Sequence, residues 1–458
     1  MSTPPTSDTS SPSVEIVSDD AGNLDGSWLN ANYPPFPPKR AIAFDLCRTL
    51  TKNLTYSVGA GAVPQYRDAK GFVVPAQTDM VGNLLPRFQH GPEGNCHGLL
   101  IEPASTNHLE YDRLGLSSGV TFTGCAAGSA TRLSVDGISQ ISAVVNTSTN
   151  GGHGIALRQI GPLPSPMSLS FALFSATQRY YVVNYNSAMS AVLDTQALTL
   201  TALTGNPVGR VYVDQMGWVW VSLQLGSLND LDIRTISIQC ANDAIGTVSY
   251  IDPGTTWFFD AAQLENCEQP TSPMFAQPSS LVSRGAEVVQ TVMPQYNPDN
   301  WLDVVSGSGS VIVEGYLPSV IPAANVIKEL WRFALDAQHF LVVGYTTALR
   351  ANAQLGLYLT NGTGVTNQIL AISGTLIAAD SYFKVGVSYT STAGALSLTG
   401  FAVNGKSALA VGQMGGALPT GLMQTLNFST CNLPLIISKL IGYDQPLTIN
   451  QLKYLTAV

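Results

Sequence analysis

Short apolar runs with a period of two set the pattern of this chain. Between residues 117 and 265 they read VTFTG, TRLSVDG, ISAVVNT, GIALRQI, MSLSFALFSA, RYYVVNY, SAVLDTQALTLTAL, GRVYVDQMGWVWVSLQL, IRTISIQ, TVSYIDP and TWFFDAAQL. Each carries β-branched or aromatic residues between turn formers, so each predicts a strand. About ten strands at roughly 8–15-residue spacing predict a sandwich or jelly roll. In GRVYVDQMGWVWVSLQL, Val211 and Val213 are separated from Trp218 and Trp220 by a Met-Gly turn, which predicts a hairpin with alternating faces.

The pattern resumes after a Pro-rich connector at 266–300. SVIVEGYLP, ELWRFALD, HFLVVGYTT, QLGLYLTN, QILAISG, YFKVGVSYT, ALSLTGFAVNG, TLNFST and LIISKLIGYDQ predict a second sandwich. Near the end, Ile449, Leu452 and Leu455 have helical spacing behind Thr448, a residue able to cap, and predict a closing helical turn. RAIAFDL, NLTYSVG, PQYRDAKGFVVPA and HGLLIEPA predict short strands before residue 110. Residues 1–39 are polar and rich in Pro, Ser and Thr, and such a segment buries too little apolar surface to fold alone. The expected fold class is therefore all-β, with two β-sandwich (jelly-roll or lectin-like) domains behind an extended N-terminal anchor. The expected division is an anchor at 1–39, a small β region at 40–110 joined to the first sandwich, that sandwich at 111–298, and the second at 299–458.

Composition narrows the function. Only 11% of residues are charged, against about 25% in ordinary globular proteins. The net charge is −9 with no long block of one sign, and the scattered Lys and Arg give no nucleic-acid footprint. Such a surface suits either partner subunits or neutral, hydroxyl-rich ligands, and composition does not separate the two. The six cysteines (Cys47, Cys96, Cys125, Cys240, Cys267 and Cys431) are far apart with no C-x-x-C, and are expected as buried free thiols from a reducing cytosol. No apolar run reaches the length of a membrane-spanning helix, and the N-terminus has no basic-then-apolar start of a signal peptide.

Candidate chemistry is sparse. Phe44-Asp45-Leu46-Cys47-Arg48-Thr49 looks like the first motif of haloacid-dehalogenase-type phosphatases, but Cys47 stands where the second Asp must act as acid and base. A strand ending near Arg48 is the expected reading. His90, Glu93, Cys96 and His97 are metal-ligand types in one loop, without the spacing of a zinc site. The expected reading is a turn set by Gly91, Pro92 and Gly94, and no metal or cofactor is expected. There is no nucleophile elbow, H-E-x-x-H pair, P-loop or acidic calcium loop. A glycosidase carboxylate pair is a spatial arrangement that a sequence does not display. Aromatic rings can stack on the CH faces of sugars, and the candidates are Tyr180, Tyr181, Tyr185, Trp218 and Trp220, then Trp331, Tyr345 and Tyr358. The competing role for each is core packing. Adjacent Tyr180 and Tyr181 must point to opposite faces of a strand.

The segment Pro86–Leu109, PRFQHGPEGNCHGLLIEPASTNHL, is the most specific in the chain. Arg87-Phe88 leads through a Gly-rich turn to Gly98-Leu99-Leu100-Ile101-Glu102 and then Thr106-Asn107. With Leu54–Ser57 and Tyr66–Gly71 before it, this stretch resembles bacteriophage head-spike-fibre and tail-fibre virion proteins. Phe259–Glu265, Pro273 and Ser283–Glu287 are similar to the closing strand and exit loop of a carbohydrate-module-like jelly roll. Tyr382–Tyr389, Phe401–Gly405, Leu418–Gly421 and Ile441–Leu455 resemble the end of a concanavalin-like (laminin-G-like) sandwich. His108 and Glu110 depart from the pattern, and the 1–39 tail has no counterpart in it. The resemblance implies a structural fibre or spike on a phage head, collar or tail, made in the bacterial host cytoplasm. It implies a homotrimer anchored through 1–39 to portal, capsid, collar or tail proteins. Its activity would be weak multivalent adhesion to host-surface glycan, where linked sites raise avidity. A capsid or tail decoration protein and a polysaccharide-degrading tailspike are the alternatives; no enzyme is expected. Arg87, Phe88, Gly98, Glu102 and Asn107 are expected to be structural, with Arg87 and Glu102 tying the motif together by polar contacts.

Overall fold

The computed structural model describes residues 41–46, then 54–292 with short interruptions, then the strands and turns of 309–458; residues 1–40, 47–53 and 293–308 lie outside it. The chain is all-β, and the one helix among the described residues is Ile449–Leu455. Its strands build two sandwiches, one nested in the other.

The inner sandwich has an eight-stranded sheet ordered Cys125–Leu133, Gln140–Asn146, Thr256–Glu265, Met167–Ser175, Val219–Gly226, Val208–Val213, with Ser105–Asn107 and Val282–Arg284 beside it. The facing seven-stranded sheet runs Thr199–Thr204, Met189–Asp194, Tyr180–Tyr185, Thr235–Ala241, His153–Gln159, Leu109–Glu110, with Val120–Thr123 pairing His153–Gln159. Alternation along each strand sends Phe171, Leu173, Trp257 and Phe259 from one sheet against Tyr181, Val183, Ile236 and Ile238 from the other. Tyr181 meets Trp257 edge-on at 5.6 Å between ring centroids, an arrangement worth about 0.5–1.5 kcal/mol beyond the area it buries. The outer face of the first sheet carries Ala172, Trp218, Trp220 and Ala261, and Val73 of the Gln65–Pro75 hairpin covers it.

The outer sandwich draws on both ends of the chain. Its eight-stranded sheet is ordered Lys406–Ala408, Ala395–Val403, Ser381–Thr392, Gly309–Leu317, Leu435–Tyr443, Cys96–Ile101, Phe88–His90, with Ala41–Asp45 also pairing Leu435–Tyr443. Its seven-stranded sheet is Leu54–Val58, Glu287–Val292, Thr425–Asn427, Lys328–Ala334, His339–Thr346, Gln354–Asn361, Thr366–Ile372. Ala41 stands opposite Tyr443, and Leu99 opposite Ile437. The division at 110 and 298 is thereby corrected. Strands from 41–101 and 287–292 belong to the C-terminal sandwich, and the inner sandwich is an insertion from Ser105 to Arg284. Local patterning marks strands but not partners, and these partners lie at opposite ends of the chain. The proposed 1–39 anchor lies outside the described residues.

Entry and return of the insertion run side by side. The Glu287 amide donates to the Glu102 carbonyl at 2.9 Å, and Ser105 stands opposite Arg284. The expected helical turn is present. Thr448 and Gln451 form a reciprocal capping box, and Leu452 packs on Ile312, Ala402, Tyr443 and Leu447. Four hairpin turns share one device: Asp68, Asp79, Asp214 and Asp243 each accept the amides two and four residues on. Three residues after each Asp, Gly71, Gly82, Gly217 and Gly246 take φ values of +86°, +89°, +77° and +84°, a region where glycine has no Cβ penalty. The Met216-Gly217 hairpin is one of these.

Candidate functional site at the seam of the two sandwiches

The motif of Pro86–Leu109 lies on the seam. Arg87 is fully buried at the edge of the outer sandwich. Its Nε donates to Glu287 at 2.7 Å, its Nη2 to Glu102 at 2.9 Å and also to Glu287, and its Nη1 to Ser272 Oγ at 2.9 Å. Arg284 approaches Glu102 at 2.8 Å and donates to Ser272 Oγ at 2.6 Å. Burial opposes the charge on Glu102, but Arg284 and Arg87 outweigh it and hold the carboxyl below the usual range. Glu265 accepts from Ser105, Thr271 and Gln263, yet burial raises its pKa. This network clamps the two strands that carry the chain into and out of the insertion.

The rest of the motif is structural in the same sense. Gly98 takes φ +130°, and a Cβ there would meet the Ile437 carbonyl at 2.4 Å. Asn107 uses its whole amide: it donates to Ala262 and Met274 carbonyls at 3.1 and 2.8 Å and accepts from Leu109 and Leu264 amides at 3.1 Å. Phe88 opposes Leu99 in the short strand Phe88–His90.

Beside the network a cleft of about 110 Å³ opens between the sandwiches, lined by Arg67, Arg210, Tyr212, Trp220, Ser222 and Thr271 among others. It has room for several waters and is smaller than the roughly 300–1,000 Å³ typical of deep ligand pockets. Period two on Val208–Val213 puts Arg210 and Tyr212 on the seam side, and register sets Tyr212 opposite Trp220 and Arg210 opposite Ser222. Tyr212 and Trp220 stack at 6.3 Å with planes 6° apart. Arg67 lies 4.9 Å over the Trp220 ring and Arg210 lies 4.1 Å over Tyr212. Asp214 receives Arg67 at 2.9 Å and the Trp220 indole N–H at 2.6 Å. Burial opposes the Arg67 charge, but Tyr212 and Asp214 outweigh it. Glu102, the carboxylate in the cleft wall, is spent on two arginines.

Four of the eight aromatic candidates are corrected. Tyr181, Tyr185, Trp218 and Trp331 are fully buried and offer no face to a sugar, because each points into a core. Trp220 is 5% exposed and reaches the cleft only as part of its wall. Tyr180 is half-buried on the face opposite Tyr181, with Arg179 at 4.8 Å from its ring. The strands carrying Tyr345 and Tyr358 are present, but their side chains lie outside the described residues. Tyr212, Arg210 and Arg67 were not singled out from the sequence, although alternation about the Met-Gly turn does place Tyr212 with Trp220.

His97 Nε2 lies 2.6 Å from Glu93, whereas His90 Nδ1 lies 3.3 Å from the Arg67 carbonyl. Among the described residues no group of three or more His, Cys, Asp or Glu could hold a metal. Cys125, Cys240 and Cys267 are buried free thiols; Cys47 and Cys431 lie outside the described residues. Burial pushes Cys125 up to about 11 and Cys240 up to about 12. Asp45 ends a strand opposite Lys439, and the rest of the dehalogenase-like stretch from Cys47 onward lies outside the described residues. Among the described residues no helix is long and apolar enough to cross a membrane.

This is an all-β protein of two nested sandwiches with a polar and aromatic cleft at their seam. No protein-family model matches the chain, and no curated protein matches it. Among solved structures, it is similar to the CBM40 module of the Ruminococcus gnavus IT-sialidase at 15% identity and TM-score 0.26, over 36% of this chain and 92% of that one. It is similar to the Trypanosoma rangeli sialidase in complex with sialic acid at 6% identity and TM-score 0.26, over 75% and 54% of the two chains. The xylan beta-1,4-xylosidase of Bacillus halodurans C-125 follows at 12% identity and TM-score 0.22, over 70% and 76%.

Proposed function

We propose that the chain is a structural fibre or spike protein of a tailed phage that adheres weakly to host-surface glycan through the cleft between its sandwiches. The observation that carries this reading is the cleft itself. Arg210, Ser222, Thr271 and the Tyr212 hydroxyl supply hydrogen-bonding groups around a shallow opening, and a small polar site suits weak binding multiplied by valency. The phage assignment rests on the resemblance carried by Pro86–Leu109. In this reading residues 1–39 attach to portal, capsid, collar or tail proteins, three copies assemble, and the protein resides on the virion surface. In this reading the role is non-catalytic, and Glu102 in the cleft wall serves as an ion-pair partner of Arg87 and Arg284. A decoration protein is the second reading, favoured by the burial of Tyr181, Tyr185, Trp218 and Trp331.

The test is adsorption competition with the whole chain, added to host cells before phage. Saturable binding that blocks adsorption and weakens in Arg210→Ala supports adhesion at the seam. Absence of binding at high concentration overturns it in favour of decoration.

A further inference from the structure

The rim of the cleft carries an aromatic cluster that the adhesion reading leaves unassigned. Tyr382 is 46% exposed. Its ring is held edge-on by His97 at 5.3 Å and by Tyr316 at 5.1 Å, and those two rings lie 4.1 Å apart. Two carboxylates belong to the same cluster. Glu93 is oriented by His97, with its side chain 47% exposed. Asp380 accepts from the Tyr316 hydroxyl and from Arg210, with its side chain 37% exposed.

Asp380 is also strained. It takes φ +59°, and its amide donates to the Leu317 carbonyl at 2.8 Å. Non-glycine residues held in this region concentrate where geometry is imposed for function. Arg210 comes from the insertion, while Glu93, His97, Tyr316, Asp380 and Tyr382 come from the outer sandwich. Arg210 also lines the cleft, so rim and cleft are continuous. The complete arrangement exists only when both sandwiches are assembled.

A fixed, exposed phenol ring gives the CH face of a pyranose an apolar surface to cover. Half-exposed carboxylates keep lone pairs that accept sugar hydroxyls as charge-assisted hydrogen bonds. A carboxylated sugar would bring like charge against them, which is how a site discriminates by repulsion.

We propose that Tyr382, Glu93 and Asp380 form a subsite for a neutral saccharide end group and disfavour carboxylated sugars. This rests on the seam-adhesion reading and adds the class of ligand.

The experiment is ligand-observed NMR titration of the full chain at low salt. Lactose, maltose and cellobiose are compared with sialyllactose and a glucuronate-terminated disaccharide. The expected result is at least tenfold tighter binding of a neutral sugar than of either acidic one. Tyr382→Ala should weaken that binding about tenfold, Tyr382→Phe should retain it, and Glu93→Gln should narrow the neutral-over-acidic preference several-fold. Thermal unfolding establishes that each variant is folded. Preference for an acidic sugar overturns the proposal, as does neutral-sugar binding that a folded Tyr382→Ala leaves unchanged; in both cases adhesion survives. If the wild-type chain binds no sugar while blocking phage adsorption, the saccharide subsite falls and adhesion stands on another receptor. If it does neither, both fall.

Discussion

Arg87 has no water to fall back on. Its guanidinium is buried among Glu102, Glu287 and Ser272, so removing it leaves carboxylates buried beside a single remaining cation, Arg284. Breaking a buried ion pair from one side costs about 3–5 kcal/mol. Arg87→Ala should therefore lose that much stability in urea unfolding, and Arg87→Lys should recover only part of it, since an ammonium cannot make the two-pronged contact. An unchanged midpoint in Arg87→Ala would remove the clamp from the account of the seam. The pairing of Arg87 with Glu102 was legible in the motif because both lie within one loop-and-strand unit. Glu287, 200 positions away, was not. Acid should act on Glu102 and on two paired carboxylates elsewhere, Asp136 with Arg113 and Asp194 with Arg179. Glu102 is lowered, and Asp136 and Asp194 are each lowered to about 2, so their stabilisation is complete above their unfolded values and is lost as pH falls through the folded ones. Glu265 has the opposite sign: its raised pKa favours the fold below its unfolded value, and that contribution is lost as pH rises through the folded one. Melting temperature should thus drop steeply toward pH 2. A melting temperature unchanged between pH 5 and pH 2 would contradict this.

Glycines separate two kinds of constraint among the elements. Gly82 sits in an Asp-anchored turn at φ +89°, and a Cβ added there would meet nothing within 4 Å. Gly98 has positive φ and also faces the backbone of Leu435–Tyr443. Gly82→Ala should cost about 1–2 kcal/mol from backbone conformation alone. Gly98→Ala should cost at least twice that, because the strand Cys96–Ile101 must shift off its neighbour; chemical denaturation of the two variants compares them directly. Equal losses would mean that close approach at Gly98 adds nothing. Strands, the closing helix and the Met-Gly hairpin were readable because period and turn chemistry are local. The burial of Trp218 and Trp220 was not, because the outer face of a strand becomes interior only when another element, here the hairpin carrying Val73, crosses it.

At the scale of the molecule, nesting decides what can stand alone. The insertion at 105–284 contains a complete two-sheet core, so that fragment should fold. Its Trp218 and Trp220 face would be uncovered, and it should bind a hydrophobic dye that the full chain does not. Residues 299–458 lack Cys96–Ile101 and Ala41–Asp45 from one sheet and Glu287–Val292 from the other. They should give no cooperative unfolding transition by circular dichroism. A cooperative transition in that fragment would show the outer sandwich to be less dependent on its N-terminal strands than the pairing implies.

The position of Ala41–Asp45 also sets how the molecule bears load. This strand lies antiparallel along Leu435–Tyr443 over five paired positions. A pull on the preceding chain directed along the strand would stress all five together in shear, instead of opening them one after another like a zip. The insertion is joined covalently to the outer sandwich only through its two linking strands, so traction between Ala41–Asp45 and the rest of the outer sandwich bypasses its core. Tension reaches the insertion only when something grips it, and then the load enters through the twin strands clamped by Arg87.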